Sequence, residues 1–137
     1  MTNIQRDKID IPVTSFEEVI LARQLVRELM ERLGFSLLAQ TRIVTAVSEL
    51  ARNMVVHAKD GRLTATKVTQ GARVGVNCIF QDSGPGIEDI DQAMREGYST
   101  TKSLGLGLGG AKKLCGEFNI TSSMGKGTKI DITEWVK

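Results

Sequence analysis

Two stretches that fold back on themselves limit what this chain can become. "RLTATKVTQ" and "RVGVNCIFQD" are strand-forming runs joined by a tight turn at Gln70–Gly71. In the second run Val74, Val76, Cys78 and Phe80 share one face. Nearer the end, "EFNITSS" and "TKIDITEWV" repeat the arrangement across a turn at "MGKG". A two- to four-residue connection forces antiparallel pairing. Near the start, "KIDIPV" alternates and stops at a proline, which predicts a short edge strand.

Helices fill the gaps between these strands. Ser15 and Glu18 have the spacing of a capping box, and Val19, Ile20, Val26, Leu29, Met30 and Leu33 give the first helix its apolar side up to Gly34. Ser36 caps a second helix over about Leu37 to Val56, and "DIDQAMREG" predicts a short third. A last helix runs from about Leu106 to Cys115, closed by Gly116. The order implies an α+β fold, a two-layer sandwich in which helices cover one face of a mixed, mostly antiparallel sheet. At 137 residues the chain has the size of a single domain, residues 1–137.

Charge and composition exclude several functions. A net charge of +2 is too small to argue for nucleic acid, and no apolar run approaches membrane-spanning length. "MTNIQRDKID" is polar and does not read as a signal peptide, so a cytoplasmic location is expected. Cys78 and Cys115 lie in segments that look buried, as free thiols in a reducing compartment.

Three places could carry chemistry. On the second helix Ile43, Val47, Leu50 and Met54 form an apolar stripe, and Glu49 and Asn53 lie four apart at its margin. Oxygen donors there suit a metal-bound phosphate. For the pair alone, a solvated helix face is the simpler reading. His57 follows one turn later and reads as a local contact at the helix end, with no catalytic role. "FQDSGPGI" ends a strand at Asp82, followed by Gly84 and Gly86; Asp82 could accept from an amino group such as that of adenine, or the string could be turn chemistry alone. Finally, "STTKSLGLGLGG" puts Gly105, Gly107, Gly109 and Gly110 at the entry to a helix, where bare backbone N–H groups can approach an anion.

The glycines formally match a dinucleotide fingerprint at Gly105, Gly107 and Gly110, with Asp131 about twenty residues on. No strand precedes them, and the parallel βαβ unit is missing. A phosphate-binding P-loop fails as well, because Ala111 stands where its lysine must be.

In combination these motifs resemble the GHKL ATPase/kinase superfamily, whose members share the Bergerat ATP-binding fold. "ELARN" looks like its N box, "DSGPG" like its G1 box, "GLGLGG" like its G2 box and "GKGT" like the end of its last motif, in the family's order, from Ser36 to Thr133. Small size and "GYSTTKSLGLGLGGAKKL" are most similar to the anti-sigma-type serine kinases. The resemblance implies ATP and Mg²⁺ as cofactors. Asn53 would bind the Mg²⁺ that bridges the phosphates, and Glu49 would orient or deprotonate the attacking hydroxyl. Asp82 would read the adenine with support from Thr128, and Gly84 and Gly86 would leave room for the base. Lys102, Gly105, Leu106, Gly107, Leu108 and Gly109 would form a mobile lid over the phosphates.

It further implies a protein serine/threonine kinase. Its substrates would be STAS-domain proteins, the scaffold and antagonist of the stressosome. On release it would bind and activate a PP2C-type phosphatase. A kinase that binds a sigma factor directly would share every motif, and a nucleotide-gated interaction module without catalysis would share all but the need for Glu49.

Overall fold

The computed structural model describes residues 2–87, 94 and 107–137. Six strands form one sheet: β1 (Asn3–Gln5), β2 (Lys8–Pro12), β3 (Arg62–Gln70), β4 (Arg73–Gln81), β5 (Glu117–Ser123) and β6 (Gly127–Trp135), in the order β1-β2-β3-β4-β6-β5. Three helices, α1 (Phe16–Leu33), α2 (Leu37–His57) and α3 (Gly107–Lys113), complete the described residues. The short helix expected over "DIDQAMREG" lies outside them, apart from Met94.

Every pairing between described strands is antiparallel, so the sheet is not mixed there. Nor is β2 an edge. Asn3–Gln5 folds back on it in register Ile4↔Ile9, and Arg32 Nη2 on α1 donates to the Arg6 carbonyl of the turn at 2.6 Å. All three β1 residues are exposed, so "NIQ" carries no alternation to announce a strand.

The strand periodicity fixes which face meets the helices. Ile9 and Ile11, Leu63 and Ala65, Cys78 and Phe80, and Ile130 and Ile132 stand in register and are all buried. Between them lie residues such as Thr64, Asn77 and Asp131 on the other face, none of them fully buried. Asn77 Nδ2 bridges to Asp131 Oδ1, the Ile132 carbonyl and Thr133 Oγ1, which satisfies that polar row without a covering layer.

The helices start and stop where their caps dictate. Ser15 Oγ accepts from Glu18 N at 3.3 Å. The Glu18 carboxylate reaches one residue further back than a standard capping box, accepting from Thr14 N and Thr14 Oγ1, each at 2.8 Å. At the far end Gly34, at φ +91°, lets Phe35 N donate to Met30 O and Gly34 N to Glu31 O, both at 3.1 Å. Val19, Val26, Leu29 and Met30 are buried as expected, but Ile20 is 63% exposed, because it lies about 100° round the helix from Val19. On α2, Ser36 Oγ caps Ala39 N at 3.1 Å, and Ile43, Val47, Leu50 and Met54 all enter the core. No described helix is long and apolar enough to cross a membrane.

Candidate functional site

The margin of the α2 stripe holds the two residues the sequence singled out, with different surroundings. Glu49 is buried, and its Oε1 accepts from the Gly107 backbone N–H at 3.1 Å. That amide opens α3 at φ +72°, a conformation that glycine adopts without strain. Asn53, one turn on and about 6 Å along the axis, is half-buried. Among the described residues its side chain makes no hydrogen bond. An amide in that state can take a ligand without giving up a protein partner.

The Asp82 loop closes the same end of α2. Gly84 lies against Ala58, where α2 stops; a Cβ on it would meet Ala58 Cα at 2.8 Å. Ser83 N donates to Lys59 O at 2.9 Å. On the other side the loop is stitched to the β5–β6 hairpin. Asp82 N donates to Thr128 O at 3.0 Å, Asp82 Oδ1 accepts from Gly84 N at 2.9 Å and Thr128 N at 3.2 Å, and Gly125 N donates to Pro85 O at 2.9 Å. Gly86, at φ +81°, backs onto the Ser123 carbonyl. Oδ1 therefore builds the loop, while Oδ2 makes no hydrogen bond among the described residues.

Along α2, then, the start of α3, Asn53 and the Asp82 loop follow in sequence. Glu49 meets Gly107, with Leu108 and Gly109 in the same buried first turn of α3, while Asp82, Gly84, Gly86 and Thr128 form the loop that packs at the C-terminal end of α2, and Asn53 lies between the two along the helix. Lys102, Gly105 and Leu106 lie outside the described residues, as does the lid expected there before Gly107. Gly84 and Gly86 pack against protein backbone at the positions where the family resemblance implies room for a base.

One polar residue here carried no sequence signal. Ser122 Oγ on β5 accepts from Ile87 N at 2.8 Å, donates to Gly127 O at 3.1 Å and lies 2.9 Å from Thr128 Oγ1. It fixes the far end of the loop and the Thr128 hydroxyl together.

Cysteine chemistry has no place at this site. Burial raises the Cys78 thiol to about 12, helped by the nearby Cys115 and Asp131. Cys115, only half-buried, is raised to about 12 by burial and by Glu134, with Arg42 opposing. Neither forms thiolate at neutral pH. No group of three or more acidic, cysteine or histidine side chains among the described residues could hold a metal alone. The donor set present, an amide without a partner among the described residues one turn from a buried carboxylate, would suit a divalent ion that also binds phosphate.

Known proteins resemble this chain in sequence and in fold. The histidine kinase-like ATPase domain family matches residues 14–134. The serine/threonine-protein kinase RsbT of Bacillus subtilis (strain 168) is 42% identical over 120 residues, which are 88% of this chain and 90% of that protein. An anti-sigma F factor of Thermoanaerobacter sp. (strain X514) is 32% identical over 69% of this chain and 68% of its own. In fold, the crystal structure of the RsbU and RsbW domains of Rv1364c from Mycobacterium tuberculosis superposes on 93% of this chain and 32% of that one, with TM-score 0.61 at 23% identity. With the family match spanning the whole site from Glu49 to Thr128, and with that degree of identity over most of its length, the chain belongs to the histidine kinase-like ATPase domain family, among its serine/threonine protein kinases.

Proposed function

We propose that the chain transfers the γ-phosphoryl group of Mg-ATP to a serine or threonine hydroxyl of a STAS-domain protein in a stressosome. After release it binds and activates a PP2C-type phosphatase. The observation that carries the catalytic part is Glu49: a buried carboxylate with one oxygen fixed by the Gly107 amide and the other without a hydrogen bond among the described residues, one turn from Asn53, whose side chain likewise makes none among them.

Phosphoryl transfer asks mainly for positioning and charge stabilisation. Glu49 takes the proton of the acceptor hydroxyl as that oxygen bonds to the γ-phosphorus; the bond from phosphorus to the β–γ bridging oxygen breaks, and ADP departs. Asn53 would hold Mg²⁺, which when bound would neutralise charge on the phosphate oxygens. Asp82 Oδ2 accepts from the adenine amino group while Oδ1 keeps the loop in place, and Thr128, tethered through Ser122, supports it.

Incubation with labelled ATP, Mg²⁺ and candidate STAS proteins tests this. Label should pass to a STAS protein, and Glu49→Gln should cut the rate by about 10²-fold or more while nucleotide still binds. Full transfer by Glu49→Gln would remove the base. The similarity to an anti-sigma F factor favours one second reading, direct binding of a sigma factor. Co-purification with a sigma subunit in place of a STAS protein would decide for it.

A further inference from the structure

The kinase reading uses one buried carboxylate and leaves another unexplained. Glu134 lies on the helix-facing side of β6, opposite Val76, where the strand pattern calls for an aliphatic residue. Its side chain is 5% exposed. Oε2 pairs with Arg42 Nη2 at 3.0 Å, and Oε1 accepts from Gly116 N at 2.6 Å. The second arginine nitrogen, Nη1, donates to Leu114 O at 2.9 Å, just past the end of α3.

Arg42 and Glu49 are seven residues apart on α2, so they share a face about 10.5 Å apart along its axis. Helix α3 is seven residues long, which is also about 10.5 Å. Its first amide meets Glu49 and the carbonyl after its last turn meets Arg42. Hence α3 lies antiparallel along α2, gripped at both ends by groups whose spacing equals its length. Each sign complements the helix dipole, with a carboxylate at the start and a guanidinium at the end.

We infer that Arg42 and Glu134 are positioning residues for phosphoryl transfer: their ion pair, buried on the Glu134 side and half-buried at Arg42, holds the rear of α3 so that Gly107 meets Glu49 in the correct register. The functional half rests on the kinase reading; the mechanical half does not. Neither residue touches substrate in this scheme. They act through α3, whose first amide orients the base. Displacement of a catalytic group by about 1 Å can cost about 10²-fold in rate.

The test uses the full chain, with Arg42→Met/Glu134→Met as the main variant. Replacing both members of a buried pair by apolar side chains commonly preserves the fold, whereas removing one strands a charge. In nucleotide-free protein, exchange of the Gly107 amide, followed by NMR, should accelerate about tenfold or more while the β2–β3 amides keep their wild-type rates. Turnover should fall about 10- to 10²-fold with KM for the protein substrate held within about twofold, since the defect lies in orientation. Arg42→Lys, which can reach one acceptor but not both, should fall between wild type and the double variant in both measurements, and it serves alone if the double variant does not fold. Wild-type Gly107 exchange and turnover in a folded variant would overturn the proposal. So would Gly107 exchange that rises only in step with every core amide, since that marks a general loss of stability. If the wild type itself phosphorylates no acceptor, the kinase reading fails, and Gly107 exchange still decides whether the clamp exists.

Discussion

Gly127→Ala is the sharpest probe of how the loop and the last strand hold each other. Gly127 opens β6 in a left-handed conformation, φ +94°, and is buried. A Cβ there would lie 2.8 Å from the Asp82 carbonyl carbon, 3.0 Å from Ser83 Cα, and closer still to the Asp82 oxygen. These are backbone atoms and cannot swing aside. The left-handed conformation costs an alanine about 1–2 kcal/mol, and relief of the overlap about 1–3 kcal/mol more, so a loss of about 2–5 kcal/mol is expected. Gly125, in the same hairpin, is the control: its φ is +77°, but nothing lies within 4 Å of its Cβ position, so Gly125→Ala should lose only about 1–2 kcal/mol. The displaced Asp82 must also loosen its bonds to Thr128, so Gly127→Ala should weaken Mg-ATP binding and Gly125→Ala should not. Urea unfolding measures the first difference and calorimetric titration the second. Equal destabilisation by the two variants, or equal nucleotide affinity, would refute the argument.

Asn53→Ala should abolish Mg²⁺-dependent ATP binding while leaving the unfolding midpoint near wild type, because the side chain has no described protein partner to lose; calorimetry with Mg-ATP checks it. Asp82→Asn should reduce ATP affinity more than GTP affinity, since the amide can present a donor to the adenine amino group; competitive titration of the two nucleotides separates base reading from loop shape. Burial alone would raise the Glu18 carboxyl, but its bonds from the Thr14 N–H and hydroxyl and from Ser15 hold it below the ordinary range. A depressed carboxylate contributes stability that is present above its unfolded pKa and is lost as the pH falls through its folded value. Glu18→Gln should therefore flatten the acid side of the stability curve below about pH 5, as thermal melts across that range would show.

The helices and hairpins were legible because each carries a periodic pattern and punctuation. Ser15, Gly34 and Ser36 are caps by chemistry, and the α2 stripe needs no partner to be recognised. The site was legible through the same residues: Glu49 and Asn53 sit beside that stripe, and Asp82 ends a strand whose alternation sets its depth. The resemblance gave the motifs an order and a purpose. What escaped was long-range. Ser122 looks like any β-strand serine until Ile87 and Thr128 arrive from elsewhere in the chain. Glu134 looks like a surface charge until Arg42, 92 positions earlier, and the Gly116 amide satisfy its two oxygens. The β1 hairpin was invisible because an exposed three-residue strand buries nothing that would leave a trace.

The sheet order also sets when a nascent chain acquires its site. Local turns give the β1–β2, β3–β4 and β5–β6 hairpins, but the seams between them are long closures. Ile11 pairs with Leu63, and Phe80 with Ile130. Such seams form late, after the entropy of closing large loops has been met. The Asp82–Thr128 contacts extend the β4–β6 seam, and the Glu49–Gly107 bond spans 58 positions. A ribosome releasing this chain from its N-terminus therefore exposes α2, with Glu49 and Asn53, well before Thr128 exists to complete the floor. A nucleotide that needs the Asp82–Thr128 contacts would therefore act as a late ligand, favouring closure of the last seam and raising the apparent stability only of molecules in which it has formed.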